Sequence, residues 1–104
     1  MEDINMTVEK MVNGEELVVK VEGRIDTTTA KAFEEQTASV LEESVTSLVM
    51  DFSGVDYISS AGLRVVLVLI KRMKGQGSMR ITNTNEMVKE IFEVTGFTDL
   101  VEIE

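Results

Sequence analysis

Residues 48–64 read LVMDFSGVDYISSAGLR and carry most of the fold information in this sequence. The consecutive apolar residues Leu48, Val49 and Met50 are typical of a strand that is covered on both faces. We expect Ser53-Gly54 to end this strand and a loop to lead into the next element. A helix is predicted from about Ser60 to Lys74, and it should be largely buried because six consecutive apolar residues would cover all of its faces.

The residues upstream of this stretch predict two strands and a helix. Apolar and polar residues alternate over residues 4–8 and again over residues 17–21, which indicates two strands. Asn13-Gly14 lies between them and supplies the positive φ angles of a tight turn, so the strands should form an antiparallel hairpin. Residues 26–29 offer several N-cap oxygens ahead of a first helical pattern that begins at Ala30.

The residues downstream predict a further strand, helix and strand. Residues 75–77 contain two glycines that end the buried helix, and residues 79–81 begin a strand. Asn83 is the expected N-cap of a third helix, because Glu86 follows it at capping-box spacing. Residues 100–103 then predict a terminal strand.

This order of elements predicts an α/β fold within one domain, residues 1–104. Right-handed crossovers would make the last four strands parallel, and the N-terminal hairpin would add an antiparallel edge. The expected architecture is therefore a mixed, mostly parallel sheet with an N-terminal antiparallel hairpin and three helices.

Composition narrows the chemistry that is available to this chain. The 104 residues include no Cys and no His, which removes thiolate nucleophiles, imidazole bases and the usual ligands of transition metals. We therefore expect no enzymatic activity, no catalytic residues, no metal and no cofactor.

Charge and hydropathy bear on the partners and the location. The net charge of −9 argues against direct binding to nucleic acid or to anionic membranes. The longest apolar run is far shorter than the ~20 residues of a membrane span, and no signal sequence is evident, so we expect a cytoplasmic protein. Residues 59–85 differ from the rest, because they contain five bases and no acid.

The segment between the buried strand and the buried helix is the expected position of a functional site, just beyond the carboxyl end of a strand. Ser59 and Ser60 stand where a helix N-cap belongs, and capping is the simpler interpretation. A phosphate on either serine would also be tolerated by the N-terminus of the helix. Gly62 lacks a side chain and could leave the helix start open to the backbone of a partner.

Charged residues around this segment have competing interpretations. A magnesium site built from Asp26, Asp51 and Asp56 would suit a phospho-aspartate receiver, but the acidic pair and the late lysine of a receiver are absent. Asp26 is instead expected to cap the first helix, and the other two aspartates to order the loop. Arg64 lies near a helix N-terminus, where a cation is disfavoured, so it contacts either a partner or Asp56.

Residues 48–64 resemble the signature of the STAS domain, the family of bacterial anti-sigma factor antagonists. The resemblance extends to GRIDT at residues 23–27 and IFEVTGF at residues 91–97, and so covers nearly the whole chain. The family loop commonly reads Asp-Ser-(Ser/Thr/Ala)-Gly-Leu, and the serine after the aspartate is phosphorylated. Ser60 matches that serine, whereas Ser59 takes the place of the aspartate and is a second candidate acceptor.

The resemblance implies a binding module that phosphorylation switches. Unmodified, it would sequester an anti-sigma factor that is also a serine kinase, and so release a sigma factor. Phosphorylated, it would be rejected until a phosphatase restores it. The alternative is an accessory STAS subunit of a transporter or a stressosome-like complex, without phosphorylation. The expected partner-binding residues are Asp26, Asp56, Ser59, Ser60, Gly62 and Arg64.

Overall fold

Five strands form one sheet in the order β1-β2-β3-β4-β5. The computed structural model describes the backbone of residues 4–12 and 15–104 and the side chains of residues 15–104. The predicted turn at Asn13-Gly14 lies outside the described residues. The strands are β1 (Ile4–Val12), β2 (Glu16–Ile25), β3 (Ser47–Ile58), β4 (Ser78–Thr82) and β5 (Glu102–Ile103).

Strands β2 to β5 are parallel to one another, and β1 pairs antiparallel with β2. Each parallel connection contains one helix, namely α1 (Ala30–Val40), α2 (Ser60–Lys74) and α3 (Glu86–Val94). The predicted α/β class, the three helices and the parallel arrangement of the last four strands are confirmed. Within the part of the chain that the structure describes, no helix has the length and apolar character that a membrane span requires.

The longest strand, β3, differs from its prediction. It does not end at Ser53-Gly54 but continues to Ile58, where a loop was expected. Between the pairs Lys20–Asp51 and Arg24–Tyr57, β2 advances by four residues and β3 by six, so bulges in β3 absorb two extra residues. Gly54 serves this pairing, because a Cβ atom there would lie 2.6 Å from the Cγ atom of Glu22. The glycine permits a close strand contact and does not make a turn.

The hydrophobic core lies between the helices and one face of the sheet. Four phenylalanine rings cross it in sequence, with centroid distances of 6.5 Å from Phe33 to Phe52, 6.3 Å from Phe52 to Phe92 and 5.6 Å from Phe92 to Phe97. Buried side chains of all three helices join this cluster. Because Phe52 touches the rings of α1 and α3, it ties β3 to both helices.

The other face of β2, β3 and β4 carries mostly polar side chains, so the prediction that β3 is covered on both faces was wrong. Val49 is buried but lies outside the core cluster. Its neighbours across the sheet are the half-buried Val18 and the exposed Arg80. Adjacent strands, not a second layer of helices, therefore shield Val49.

Helix α2 is less buried than its apolar run suggests. Arg64 is exposed and 49% of Val68 is exposed, while Leu63 and Leu67 are half-buried. The helix packs against β3, β4 and α1 on one side only, so apolar residues on its outer side remain accessible.

The start of α3 also differs from the prediction, because Asn85 and not Asn83 caps the helix. The Asn85 side-chain oxygen accepts from the Val88 N–H at 2.8 Å, and its amide donates to the Val55 carbonyl at 3.1 Å. Asn83 instead takes a left-handed turn, with φ 58°, directly after β4. The terminal strand is also shorter than predicted, because residues 97–99 form a short 3₁₀ helix before it.

We expect Phe52→Ala to lower the free energy of unfolding by about 3–5 kcal/mol, because it removes the central ring of the core. Urea denaturation followed by circular dichroism measures this loss. Val94→Ala on α3 is the control, since 76% of that side chain is exposed and its removal should cost about 0.5 kcal/mol or less. Similar losses in the two variants would contradict the assigned role of Phe52.

Candidate functional site

The candidate site forms where β2 and β3 end side by side. The Ser59 N–H donates to the Ile25 carbonyl at 2.8 Å, so the residue after β3 is held against the last residue of β2. The next residue begins α2. The parallel pairing of two strands therefore sets where this helix starts.

The two adjacent serines have different roles. Ser59 is the N-cap of α2: its hydroxyl oxygen accepts from the Gly62 N–H at 3.3 Å, and its carbonyl accepts from the Leu63 N–H at 2.9 Å. Ser60 is the first residue of the helix and is exposed, and its hydroxyl makes no hydrogen bond within residues 15–104. The capping hydroxyl and the exposed hydroxyl thus belong to neighbouring residues. The sequence alone did not show which serine has which role.

Gly62 faces the inside of the protein, so the prediction that it opens the helix start to a partner was wrong. It is buried, and a Cβ atom on it would lie 2.5 Å from the Cγ2 atom of Ile25 and 2.8 Å from the Cγ1 atom of Ile58. The missing side chain lets the first turn of α2 approach the ends of β2 and β3.

Asp26 organises the turn that precedes α1. One of its carboxylate oxygens accepts from the Thr28 hydroxyl at 2.6 Å, the Thr28 N–H at 2.9 Å and the Thr29 N–H at 3.2 Å. The hydrogen bonds from Thr28, with smaller contributions from Thr29 and the Arg24 charge, hold the pKa of Asp26 below its usual value of 3.8. The N-cap of α1 is Thr29. Asp26 therefore stabilises the preceding turn and is not the cap that the sequence suggested.

A stacked arginine and tyrosine lie beside this turn, and the sequence did not predict this pair. The Arg24 guanidinium lies 4.2 Å from the centroid of the Tyr57 ring, and its Nε donates to Asp26 at 3.2 Å. Arg24 and Tyr57 are opposite each other in the pairing of β2 with β3. The bulges in the pairing of β2 with β3 bring the two side chains together, and no local sequence pattern predicts these bulges.

The other two aspartates are placed differently from each other. Asp51 accepts from the Ser53 N–H at 2.9 Å and from the Asn83 amide at 3.2 Å. Partial burial raises the pKa of Asp51, but these hydrogen bonds and the Lys20 charge outweigh it, so the net pKa is lowered. Asp56 is exposed, and no ion pair joins it to Arg64 within residues 15–104. Among the same residues, no three acidic side chains are grouped as a metal site.

A groove of about 320 Å³ runs between α1 and α2, starting next to Ser60. Arg64 lines it and is exposed, and the partly exposed Val68 follows one turn later. The sequence did not single out Val68, because it sits inside an apolar run that reads as core. The lining residues are Thr27, Ala30, Lys31 and Glu34 from the α1 side and Ala61, Arg64, Val65 and Val68 from α2.

The structure gives the six predicted site residues different positions. Ser59 is half-buried and caps α2. Ser60 and Arg64 are exposed one helical turn apart on α2. Asp26 directly follows β2 and is bonded within its turn, whereas Asp56 lies near the end of β3 and is exposed. Gly62 is internal.

Comparisons with known sequences agree with this architecture. A scan against models of protein families matches the STAS domain over residues 5–104. The chain is 33% identical over 85 residues to BtrV, a candidate anti-sigma factor antagonist of Bordetella bronchiseptica, covering 81% of this chain and 73% of that protein. It is 29% identical over 101 residues to the anti-sigma-B factor antagonist of Bacillus subtilis, covering 96% of this chain and 92% of that protein.

Solved structures share the fold. An anti-sigma factor antagonist from Mycobacterium paratuberculosis superposes with a TM-score of 0.85 at 25% identity, over 96% of this chain and 84% of that chain. The phosphorylated form of SpoIIAA from Bacillus superposes with a TM-score of 0.70 at 17% identity, over 96% of this chain and 91% of that chain. At this low identity, the second likeness is one of fold alone.

The division between the two serines predicts different costs for their removal. Ser59→Ala should lower the free energy of unfolding by about 1 kcal/mol, because it deletes the side-chain cap of α2. Ser60→Ala should change that free energy by about 0.5 kcal/mol or less, because the hydroxyl is exposed and has no partner among residues 15–104. Urea denaturation of both variants measures the difference, and a larger loss for Ser60→Ala would reverse the assignment of the cap.

The lowered pKa of Asp26 predicts a pH-dependent contribution to stability. The folded state favours the ionised form, so this contribution is present above the usual pKa of 3.8 and is lost as the pH falls through the lower folded pKa. Wild type should therefore exceed Asp26→Asn in stability at neutral pH, and the two should converge in acid. Thr28→Val, which removes the strongest donor, should reduce this difference. Urea titrations at a series of pH values measure it, and a constant difference would contradict the prediction.

Proposed function

Because the chain belongs to the STAS domain family, we propose that it is an anti-sigma factor antagonist, a cytoplasmic binding protein without enzymatic activity. The names of its relatives in Bordetella and Bacillus support this role. The observation that carries the proposal is the exposed hydroxyl of Ser60, which lies at the first position of α2 and makes no hydrogen bond within residues 15–104. This is the residue that matches the phosphorylated serine of the family.

Ser60 is the proposed phosphate acceptor, and the partner anti-sigma factor is the proposed kinase. The Ser60 oxygen would attack the γ-phosphorus of a nucleoside triphosphate bound by that kinase. The nucleoside diphosphate leaves, and a base of the kinase takes the hydroxyl proton. The product carries its phosphate beside the free N–H groups and positive dipole end of α2, so the fold should tolerate it.

Ser59 is the less suitable acceptor of the two. Its side chain is half-buried, and its hydroxyl oxygen already accepts the capping hydrogen bond from Gly62. A kinase would have to reach a less accessible oxygen and disturb the helix start. We therefore propose Ser60 as the principal acceptor and Ser59 as the secondary one.

The proposed docking surface is the α1–α2 groove together with the start of α2. The exposed part of Val68 offers apolar area in the groove, and Arg64 offers a cation one helical turn from Ser60. A phosphate on Ser60 would add a charge of about −1.5 to −2 at this surface, and burying it would carry a large desolvation cost. The unmodified protein would bind the anti-sigma factor, the phosphorylated protein would dissociate, and a phosphatase would reset the switch.

We expect incubation with the cognate kinase and ATP to add one phosphate to wild type, at Ser60, and none to Ser60→Ala. An affinity pull-down from source cells, followed by mass spectrometry of the captured proteins, identifies the kinase. Intact-mass and peptide mapping then locate the phosphate. Calorimetry should show that Ser60→Ala retains binding, whereas Ser60→Asp weakens it by about tenfold or more.

Ser44→Asp is the matched control, because it places the same charge on an exposed serine in the loop that follows α1. It should bind as wild type does. Equal affinities of Ser60→Ala and Ser60→Asp would show that this surface is not the switch. Capture of transporter or stressosome components without any phosphorylation would favour an accessory STAS subunit instead.

A further inference from the structure

Arg64 is a cation at a place where a cation is unfavourable. It lies near the start of α2, and the first turn of this helix contains no acidic residue to offset the positive end of the dipole. Within residues 15–104, the only side-chain ion pairs join Arg24 to Asp26 and Arg80 to Glu104. Neither involves Arg64, so its guanidinium is available for an anion.

The groove around Arg64 carries excess positive charge. Three charged side chains line it: Arg64 from α2, and Lys31 and Glu34 from α1, for a formal sum of +1. Two carboxylates lie near the C-terminal ends of β2 and β3: Asp26, which is already bonded within its turn, and the exposed Asp56. None of these groups forms an ion pair with Arg64.

Arg64 follows Ser60 by four residues on the same helix, and both side chains are exposed. Side chains at this spacing lie on the same face about 5–6 Å apart at their Cβ atoms. An arginine can then reach a phosphate one turn away and bind two of its oxygens with parallel N–H groups.

We propose that Arg64 clamps the phosphate of phosphorylated Ser60. This inference rests on the proposed phosphorylation of Ser60 and adds a residue that receives the product. The clamp withdraws the arginine from the groove at the moment that the phosphate arrives. The summed charge of Lys31, Glu34, Arg64 and the phosphate then changes from +1 to between about −0.5 and −1.

The clamp can be tested without the kinase, in the full chain with phosphoserine encoded at position 60. Phosphorus NMR follows the second ionisation of the phosphate, which occurs near pH 6. Carboxylates titrate near pH 4, so the two processes are well separated. We expect the midpoint of the phosphate ionisation in wild type to lie about half a pH unit below that in Arg64→Gln, because the guanidinium favours the dianion. Arg64→Lys should retain part of this shift, since it keeps the charge but not the two-pronged geometry.

Lys71→Gln is the matched control, because it removes one exposed cation from the same helix at about 16 Å from Ser60 along the helix axis. It should leave the midpoint unchanged. An equal midpoint in wild type and Arg64→Gln, or an equal change in Lys71→Gln, would overturn the clamp. A shift in Lys31→Gln without one in Arg64→Gln would assign the phosphate to α1 and would also overturn it. Failure of a kinase to modify Ser60 would contradict the proposed function and leave this titration unaffected.

Discussion

The contact between the first turn of α2 and the ends of β2 and β3 positions the whole candidate site. It depends on an absent side chain at Gly62, which allows Ile25 and Ile58 to lie directly under the helix. The hydrogen bond from Ser59 to the Ile25 carbonyl holds the same junction from the backbone. Any added atom at Gly62 would push the helix outward, and the exposed side chains of its first two turns would move with it. The packing of α2 against the strand ends therefore determines where the site residues lie.

At this junction, three consecutive residues have different structural roles. Ser59 caps the helix, Ser60 presents a free hydroxyl, and Ala61 lines the groove towards α1. Because the cap does not use the Ser60 oxygen, the surface charge at Ser60 can change without loss of a bond that holds α2. The proposed phosphorylation of Ser60 would therefore act on a partner through the surface and would leave the fold underneath unchanged.

Sequence patterns predicted the elements and the bounds of α2 well, because long apolar periodicity and glycine breaks are local signals. They failed where long-range pairing decides the outcome. Ser53-Gly54 reads as a turn, yet strand pairing with β2 continues through it to Ile58. Asn83 has the spacing of a cap, but the close of β4 forces it into a left-handed turn, and Asn85 caps α3. In the same way, only tertiary structure shows that Val68 is exposed and that Gly62 is internal.

The stacking of Arg24 on Tyr57 also gives the protein an optical signal at one defined place. The chain has one tyrosine and no tryptophan, so its absorbance and fluorescence near 280 nm come almost entirely from this ring. The ring lies under a guanidinium that is bonded to Asp26, at the strand end that leads into Ser59. Tyrosine emission and near-ultraviolet circular dichroism are therefore intrinsic optical reporters of this corner of the molecule, free of background from any other tyrosine or tryptophan.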